Sequence, residues 1–584
     1  MLGKDYIRVL YIDLSSRRVD VQQRQDLVAY MGGSGVAVKL LAETIQTERD
    51  VFDPAQPMII AIGPLSTIFP VITKAAATFR SPLTGEYGES HAGGRIAYAL
   101  SHAGYDALVV TGKAEHPSYL LIHDNRVEVR DAGVIWGTDT LEAGRILRSL
   151  HTAPGHRSII RIGPAGEKLV RFANVNVETY RHFGRLGLGA VFGAKNLKAI
   201  VTIGTHHFPL GDLAQSYRKV YAEVYRKVTE TDAMEKYHEL GTPMNVAPLN
   251  ELGALPTRNL QATRFEGAEA ISGESLAREN LMFTRACAGC QIGCIHVALL
   301  RQPFGEPDWY HFDSSLVPYD HELIYALGSM LGVGERQDLL MLIEEADVAG
   351  MDAISTGVTL AWATEAMQRG LISAAELGVE LRFGDAPAYR HAVRAIAESE
   401  TDLARWLARG SLYAAQHYGG QDFAVALGGG HGMAGYHTGY ANVVGHHIGA
   451  RHSHLDNAGY AIDQKSADLT DEETVEALIA EEQERAMLTS LSICLFARKV
   501  YDRQTVKACL ASVGMPWSDA QLDELGRKIY ALRLDIKRRL GYDPTQVPIP
   551  QRFFDTPSMR GPLAPERVQR MLAIYRQRAA AIQP

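Results

Sequence analysis

The chain has 584 residues, more than one hydrophobic core supports, so roughly two to four domains are expected. Hydrophobic residues make up 46% and charged residues 22%, and 59 basic against 67 acidic side chains give a net charge of −8, which offers no footing for nucleic-acid binding. No basic and apolar leader opens the chain and no apolar run is long enough to cross a bilayer. Five cysteines in so long a chain fit a reducing compartment rather than a disulfide framework, so a cytoplasmic protein without a membrane partner is expected.

Residues 1–208 read as strand-rich. The segments Ile7–Leu14, Arg18–Val21, Met58–Ile62, Ala107–Thr111, Tyr119–His123, Ser158–Ile162, Leu169–Val175 and Ala199–Ile203 are short and β-like, with Gly and Pro between them. This pattern predicts an antiparallel or mixed sheet platform rather than regular βαβ winding. After Gly204 helical periodicity takes over, at Asp212–Leu240, Asp320–Val348, Gly357–Gln368, Ala388–Gly410, Asp471–Leu491, Ser518–Leu540 and Glu566–Ala581. The expected class is α+β: a β-rich first domain (1–208) followed by two mainly helical domains (209–415 and 416–584). Glycines around 419–430 mark the second break.

Three of the cysteines fall within eight residues, Cys287-Ala288-Gly289-Cys290-Gln291-Ile292-Gly293-Cys294. Thiolates at this spacing can wrap three corners of a [4Fe–4S] cluster, with the fourth corner taken by a remote ligand. Zinc is a second reading, because His296 could complete a Cys3His tetrahedron, and buried thiols are a third. The remote candidates are Cys494, in the apolar stretch 491–496, and Cys509, whose predicted helical setting reads as core.

Three further constellations carry chemistry. Asp347 and Asp352 flank Gly350 at a predicted helix end and could accept hydrogen bonds from a polar heterocycle. In Arg181-His182-Phe183-Gly184-Arg185, followed by Gly187 and Gly189, backbone N–H groups and guanidinium forks could approach a phosphate. The stretch 431–454 holds six histidines, suited to metal ligation, general acid–base work or structural roles.

Together these segments resemble the aldehyde:ferredoxin oxidoreductase family of tungsten (or molybdenum) bis-pterin enzymes. The resemblance rests on Gly63-Pro64-Leu65, Ser81-Pro82-Leu83-Thr84-Gly85, Ala92-Gly93-Gly94, the 184–200 run, Leu255-Pro256-Thr257-Arg258-Asn259, the cysteine run, Ala326-Leu327-Gly328, the 347–357 segment, Cys494-Leu495-Phe496 and Arg552-Phe553-Phe554. It implies a cluster held by Cys287, Cys290, Cys294 and Cys494. It also implies a pterin site formed by Lys74, His91, Gly93, Arg181, His182, Gly184, Asp347, Met351, Asp352, Thr489, Ile493 and Leu495, with Mg2+ bridging the pterin phosphates.

The chain departs from the family pattern at several of these positions. Lys74 stands for an arginine, His91 for an asparagine, His182 for a small residue, Thr489 for an aspartate and Asp456 for a lysine, and the family commonly continues beyond Arg578. For catalysis the resemblance implies Glu322 and a partner histidine, His454 in preference to His452. The implied activity is oxidation of an aldehyde to a carboxylate, with electrons passed to ferredoxin or an iron–sulfur partner subunit, in a homodimer or hetero-oligomer. The alternatives are the reductive catalytic subunit of a benzoyl-CoA reductase type and a cofactor-degenerate electron-transfer subunit.

Overall fold

The computed structural model describes residues 5–207, 210–303, 312–465 and 469–583; the expected boundary at 208 falls outside them. Two six-stranded mixed sheets form the first part of the chain. The first contains β1 (Ile7–Asp13), β2 (Arg18–Arg24), β3 (Met58–Ile62), β4 (Ala75–Arg80), β5 (Tyr87–Ala92) and β6 (Ala107–Thr111), in the order β2-β1-β6-β3-β4-β5. Only β1 and β6 run parallel within it. The second contains β7 (Ser118–His123), β8 (Arg126–Asp131), β9 (His156–Arg161), β10 (Val175–Val177), β11 (Arg181–Phe183) and β12 (Leu197–Gly204), in the order β11-β10-β9-β12-β7-β8.

Leu10, Ile12, Ile60 and Phe79 of the first sheet share one core with Leu120, Ile122, Ile160 and Ile200 of the second. Apolar residues at alternate positions of each strand thus face a common interior, as a two-sheet stack requires. The other face of the first sheet, through Val9, Ile59 and Ala76, packs with the helices Gly33–Thr44, Asp471–Ser490 and Asp519–Arg539 in a second core. C-terminal helices therefore close directly onto N-terminal strands.

The expected architecture, mixed sheets followed by helical regions, is the one observed. Three local expectations differ. Leu169–Val175 is β-like in composition, yet Leu169 has φ +61° and the N–H of Ala173 bonds the Val170 carbonyl, so the segment turns and only Val175 joins a strand. The helical middle region also contains a three-stranded antiparallel sheet, β13 (Leu281–Arg285), β14 (Ile295–Pro303) and β15 (Phe312–Tyr319). The cysteine run is the turn between β13 and β14. The predicted helix 320–348 is two helices, His321–Leu327 and Arg336–Ala349, broken where Gly328 and Gly332 leave helical geometry.

Candidate active site

A cleft with about 1650 Å³ of atom-free space, part of it open to solvent, lies where the β5 end, β11, the cysteine turn and two helix N-termini meet. Of the residues singled out from the sequence, Lys74, His91, Gly93, Arg181, His182, Gly184, Cys294, Glu322, Asp347, Met351, Asp352 and His454 line it. Thr489, Ile493 and Leu495 do not. Thr489 turns its hydroxyl toward Ser34 (2.6 Å) and the Arg485 carbonyl (2.9 Å), while Ile493 is buried in the core beneath the first sheet.

The cysteines are set by backbone contacts from distant segments. The N–H of Ala288 bonds the Gly94 carbonyl (2.9 Å), and the N–H of Val71 bonds that of Gly289 (3.2 Å). On the other side the N–H of Cys494 bonds the Val71 carbonyl (3.3 Å), and that of Lys74 bonds Ser492 (3.2 Å). The segment 63–74 thereby joins the cysteine turn to Cys494. Arg181 donates from Nη2 to Sγ of Cys294 (3.3 Å). Burial pushes the Cys287 thiol up, but Arg181 and Lys74 outweigh it and hold the thiol below its ordinary range. Cys290, farther from these cations, is pushed up to about 12 by burial.

Gly93 sits against this group. A Cβ there would lie 2.5 Å from Sγ of Cys287, so a side chain is excluded. His296 is occupied elsewhere, with Nε2 against the carbonyls of His238 and Glu239. Among the described residues no three His, Cys, Asp or Glu side chains converge on a position for a metal ion, as a Cys3His zinc tetrahedron would require. Cys509 is fully buried in the core beneath the first sheet, as its helical setting predicts.

The opposite wall carries the acid–base groups. Asp320 caps the helix His321–Leu327 by accepting from the N–H of Leu323 (3.1 Å), which places Glu322 in its first turn, where the helix dipole favours a negative charge. Nε2 of His454 lies 3.2 Å from Oε1 of Glu322, and the Tyr436 hydroxyl reaches the same oxygen at 3.4 Å. Burial pushes the Glu322 carboxyl up, but His454 overrides this and holds it down, to about 2. Asp320, without such a partner, is pushed up to about 6 by burial and by Glu322. The neighbouring histidine His452 faces away, toward Lys537 (2.8 Å) and Glu86 (3.3 Å).

A third wall is polar. Oδ1 of Asp347 meets Nε2 of His182 (2.6 Å) and accepts from Asn176 (3.0 Å). Asp352 caps the helix Ala353–Gln368 through the N–H of Ile354 (3.1 Å) and accepts from Nε of Arg185 (3.2 Å). Asn174, Arg181, Arg185, Tyr319, His431 and His454 all line the cleft, and each carries a buried polar atom without a hydrogen-bond partner. Six such atoms around one cavity are far from the usual satisfaction of buried polar groups. They mark a surface built against a polar ligand, and the donor set suits anionic and heterocyclic groups.

Sequence reasoning missed the charges behind the cleft. Arg533 and Lys537, one turn apart on the helix Asp519–Arg539, pair with Glu89 (2.8 Å) and Glu86 (2.7 Å). Glu89 in turn meets Nε2 of His91 on the cavity wall. Asp456 does not face the cavity; it pairs with Arg451 (2.5 Å) and accepts from the N–H groups of Arg451 and Ser453. Arg451 is the member of this pair that lines the cleft. The available signal was two cations at i, i+4 on the buried stripe of an amphipathic helix.

The comparisons with known proteins agree with this fold. Residues 9–204 match the model of the aldehyde ferredoxin oxidoreductase N-terminal domain, and residues 219–579 match that of domains 2 and 3 of the same enzymes. The chain is therefore an oxidoreductase by class. It belongs to the aldehyde ferredoxin oxidoreductase family. It is 32% identical over 549 residues to a tungsten-containing aldehyde ferredoxin oxidoreductase of Pyrococcus abyssi, covering 91% of this chain and 88% of that one. It is 30% identical over 427 residues to the WOR-like subunit of an aliphatic sulfonate oxidoreductase of Pyrococcus furiosus, covering 70% of this chain and 66% of that one. In fold it matches a chain of the active-site complex BamBC of benzoyl coenzyme A reductase with 1,5-dienoyl-CoA, with a TM-score of 0.83 at 18% identity, over 99% of this chain and 95% of that one. Among the described residues no helix is long and apolar enough to cross a membrane.

Proposed function

We propose that this protein oxidises an aldehyde to a carboxylate with a bis-pterin tungsten or molybdenum cofactor, and passes the electrons through a [4Fe–4S] cluster to ferredoxin or an iron–sulfur partner subunit. The observation that carries the reading is the placement of a carboxylate–histidine pair, Glu322 and the buried His454, across one cleft from Arg181 and Cys294. The unpartnered polar atoms of Asn174, Arg181, Arg185 and His431 speak against a cofactor-degenerate subunit, because a site without a ligand would leave them uncompensated.

In this reading Arg181, His182, Arg185 and Gly184 would hold the pterin phosphates and their Mg2+, and Asp347, Met351 and Asp352 would hold the pterin rings. Cys287, Cys290, Cys294 and Cys494 hold the cluster. The bound cofactor supplies the two-electron redox step. The protein's own part is to orient the carbonyl and manage protons. Glu322, ionised, would accept the proton of the attacking water, while His454, with Nε2 3.2 Å away, would orient the carboxylate and balance its charge. His454 is buried, whereas Glu322 is partly exposed on the cleft, where a substrate carbonyl and water would enter.

Metal analysis of anaerobically purified protein tests the reading: about four irons and about one tungsten or molybdenum per chain are expected. Iron without either heavy metal would remove the enzyme reading, and zinc in place of iron would remove the cluster as well. Cys494→Ser should lower bound iron, whereas Cys509→Ala, in the core away from the cleft, should keep it.

A further inference from the structure

A second cavity, with about 960 Å³ of atom-free space, lies beyond the Glu322–His454 wall and opens to solvent. The turn Thr242–Asn245 runs between the two spaces, with Thr242 and Pro243 facing the first and Asn245 the second. Tyr436 forms the rest of the partition. Its ring lines the second cavity and stacks on Tyr460 (4.5 Å between centroids, 23° between planes), and its hydroxyl points through to Glu322. At 3.4 Å that hydrogen bond is near the limit of useful geometry, so breaking it costs little.

The lining of the second cavity is graded. Leu249, Tyr436 and Tyr460 make an apolar inner wall, while Leu252 and Arg560 stand at the exposed mouth. Arg560 is anchored by the Asp463 backbone carbonyl (Nε–O 2.7 Å), not by a carboxylate. The Asp463 carboxylate is itself occupied by the Thr438 hydroxyl and the N–H groups of Ala441 and Asn442. Among the described residues Arg560 has no ion-pair partner within 4 Å, and it is the one charged side chain lining a space whose other walls are apolar or, at Asn245 and Gln464, neutral polar.

We infer that this cavity is the recognition subsite for the non-reacting end of the substrate. It takes an aldehyde with an apolar body and an anionic tail, with Arg560 reading the tail and Tyr436 gating passage of the carbonyl to Glu322 and His454. The inference rests on the aldehyde-oxidation reading and adds the substrate class to it. Largely hydrophobic and aromatic walls with a few polar groups and one charge are the usual composition of a small-molecule site, and a charge at the exposed mouth selects without a deep desolvation cost.

The test uses the holoenzyme and a series of ω-formyl carboxylates against chain-matched neutral aldehydes. The ratio of kcat/KM, anionic over neutral, should exceed one at one chain length and fall about fivefold in Arg560→Gln, mainly through KM. Raising KCl from about 0.05 M to about 0.5 M should lower the wild-type ratio in the same direction. Leu252→Trp, which fills the mouth, should raise KM for long chains more than for acetaldehyde. In a second arm that needs no turnover, calorimetric titration with adipate and suberate should show binding that Arg560→Gln weakens about fivefold. A ratio unchanged by Arg560→Gln at every chain length, or dicarboxylate binding indifferent to it, overturns the inference. Absence of turnover with every aldehyde would overturn the oxidation reading, while the calorimetric arm still decides whether the cavity is an anion-reading subsite.

Discussion

Glu322 and His454 meet at 3.2 Å although one stands at the start of a helix in the middle of the chain and the other within the histidine-rich stretch near its end. Their contact depends on the Asp320 cap, which fixes the first turn of the helix, and on the Ser453–Asp456 capping box, which fixes His454 at the start of its own short helix. Two local caps thus aim two distant side chains at one point.

Replacing Glu322 by Gln keeps the shape and removes the charge. We expect kcat for aldehyde oxidation with a viologen acceptor to fall by about 10²–10⁴, with metal content unchanged. The Glu322 carboxyl is held down to about 2, so it is ionised throughout the working range and does not set the acid limb of the pH profile. Turnover equal to wild type would remove Glu322 from the proton pathway.

Gly93→Ala tests the packing of the cysteine turn. The new methyl would sit 2.5 Å from Sγ of Cys287, well inside contact distance, and Sγ belongs to a short, nearly buried side chain with little room to retreat. Bound iron and the visible absorption of the purified protein should drop together. A variant with full iron content would show that Cys287 can shift at no cost.

Asp456→Asn probes the position where family members often carry a lysine. The carboxylate holds the Arg451 guanidinium and two backbone N–H groups, and all three partners are buried. Removing its charge takes from Arg451 its paired carboxylate and leaves Glu89 as the remaining anion acting on it, a loss of up to about 3–5 kcal/mol that should lower the melting temperature by several degrees. A melting temperature equal to wild type would mean that Arg451 finds another anion.

Glu482 gives the protein a pH-dependent weakness. Burial pushes its carboxyl from 4.5 up to about 7, and Asp456 adds to the shift. Between these values the native state holds a proton that the unfolded chain has released, so stability falls as pH rises through this window. Glu482→Gln carries no such titration. Its stability relative to wild type should therefore increase from about pH 5 to about pH 8, on the order of 1–3 kcal/mol in denaturant melts. A difference that stays flat with pH would show that Glu482 titrates alike in both states.

The parts of this fold legible in the sequence are those written locally. The cysteine run, the helix periods and the strands β1, β3 and β6 follow from spacing and alternation within short windows. β4 and β5 escaped, because Ala75-Ala76-Ala77 and Gly88-Glu89-Ser90 lack β-branched residues and are strands by pairing, β4 with β3 and β5, and β5 with β4. The ion pair between Arg533 and Glu89 was equally invisible as a pair, since its partners lie 444 positions apart and the helical stripe that carries Arg533 does not say which anion it meets. Glu322 and His454 were legible only through the resemblance to a family; spacing alone does not bring them together.

The 63–74 segment has a further consequence, for the order in which the protein is made. Its carbonyl and N–H groups bond Gly289 on one side and Ser492 and Cys494 on the other. A ribosome delivers the first of these sites about 200 residues before the second, which at ordinary elongation rates is roughly ten to forty seconds. Through that interval the emerging chain displays three thiols beside a seam whose other half has not been synthesised. The seam that sets the cysteine turn against Cys494 therefore closes late, only after about 85% of the chain has been made.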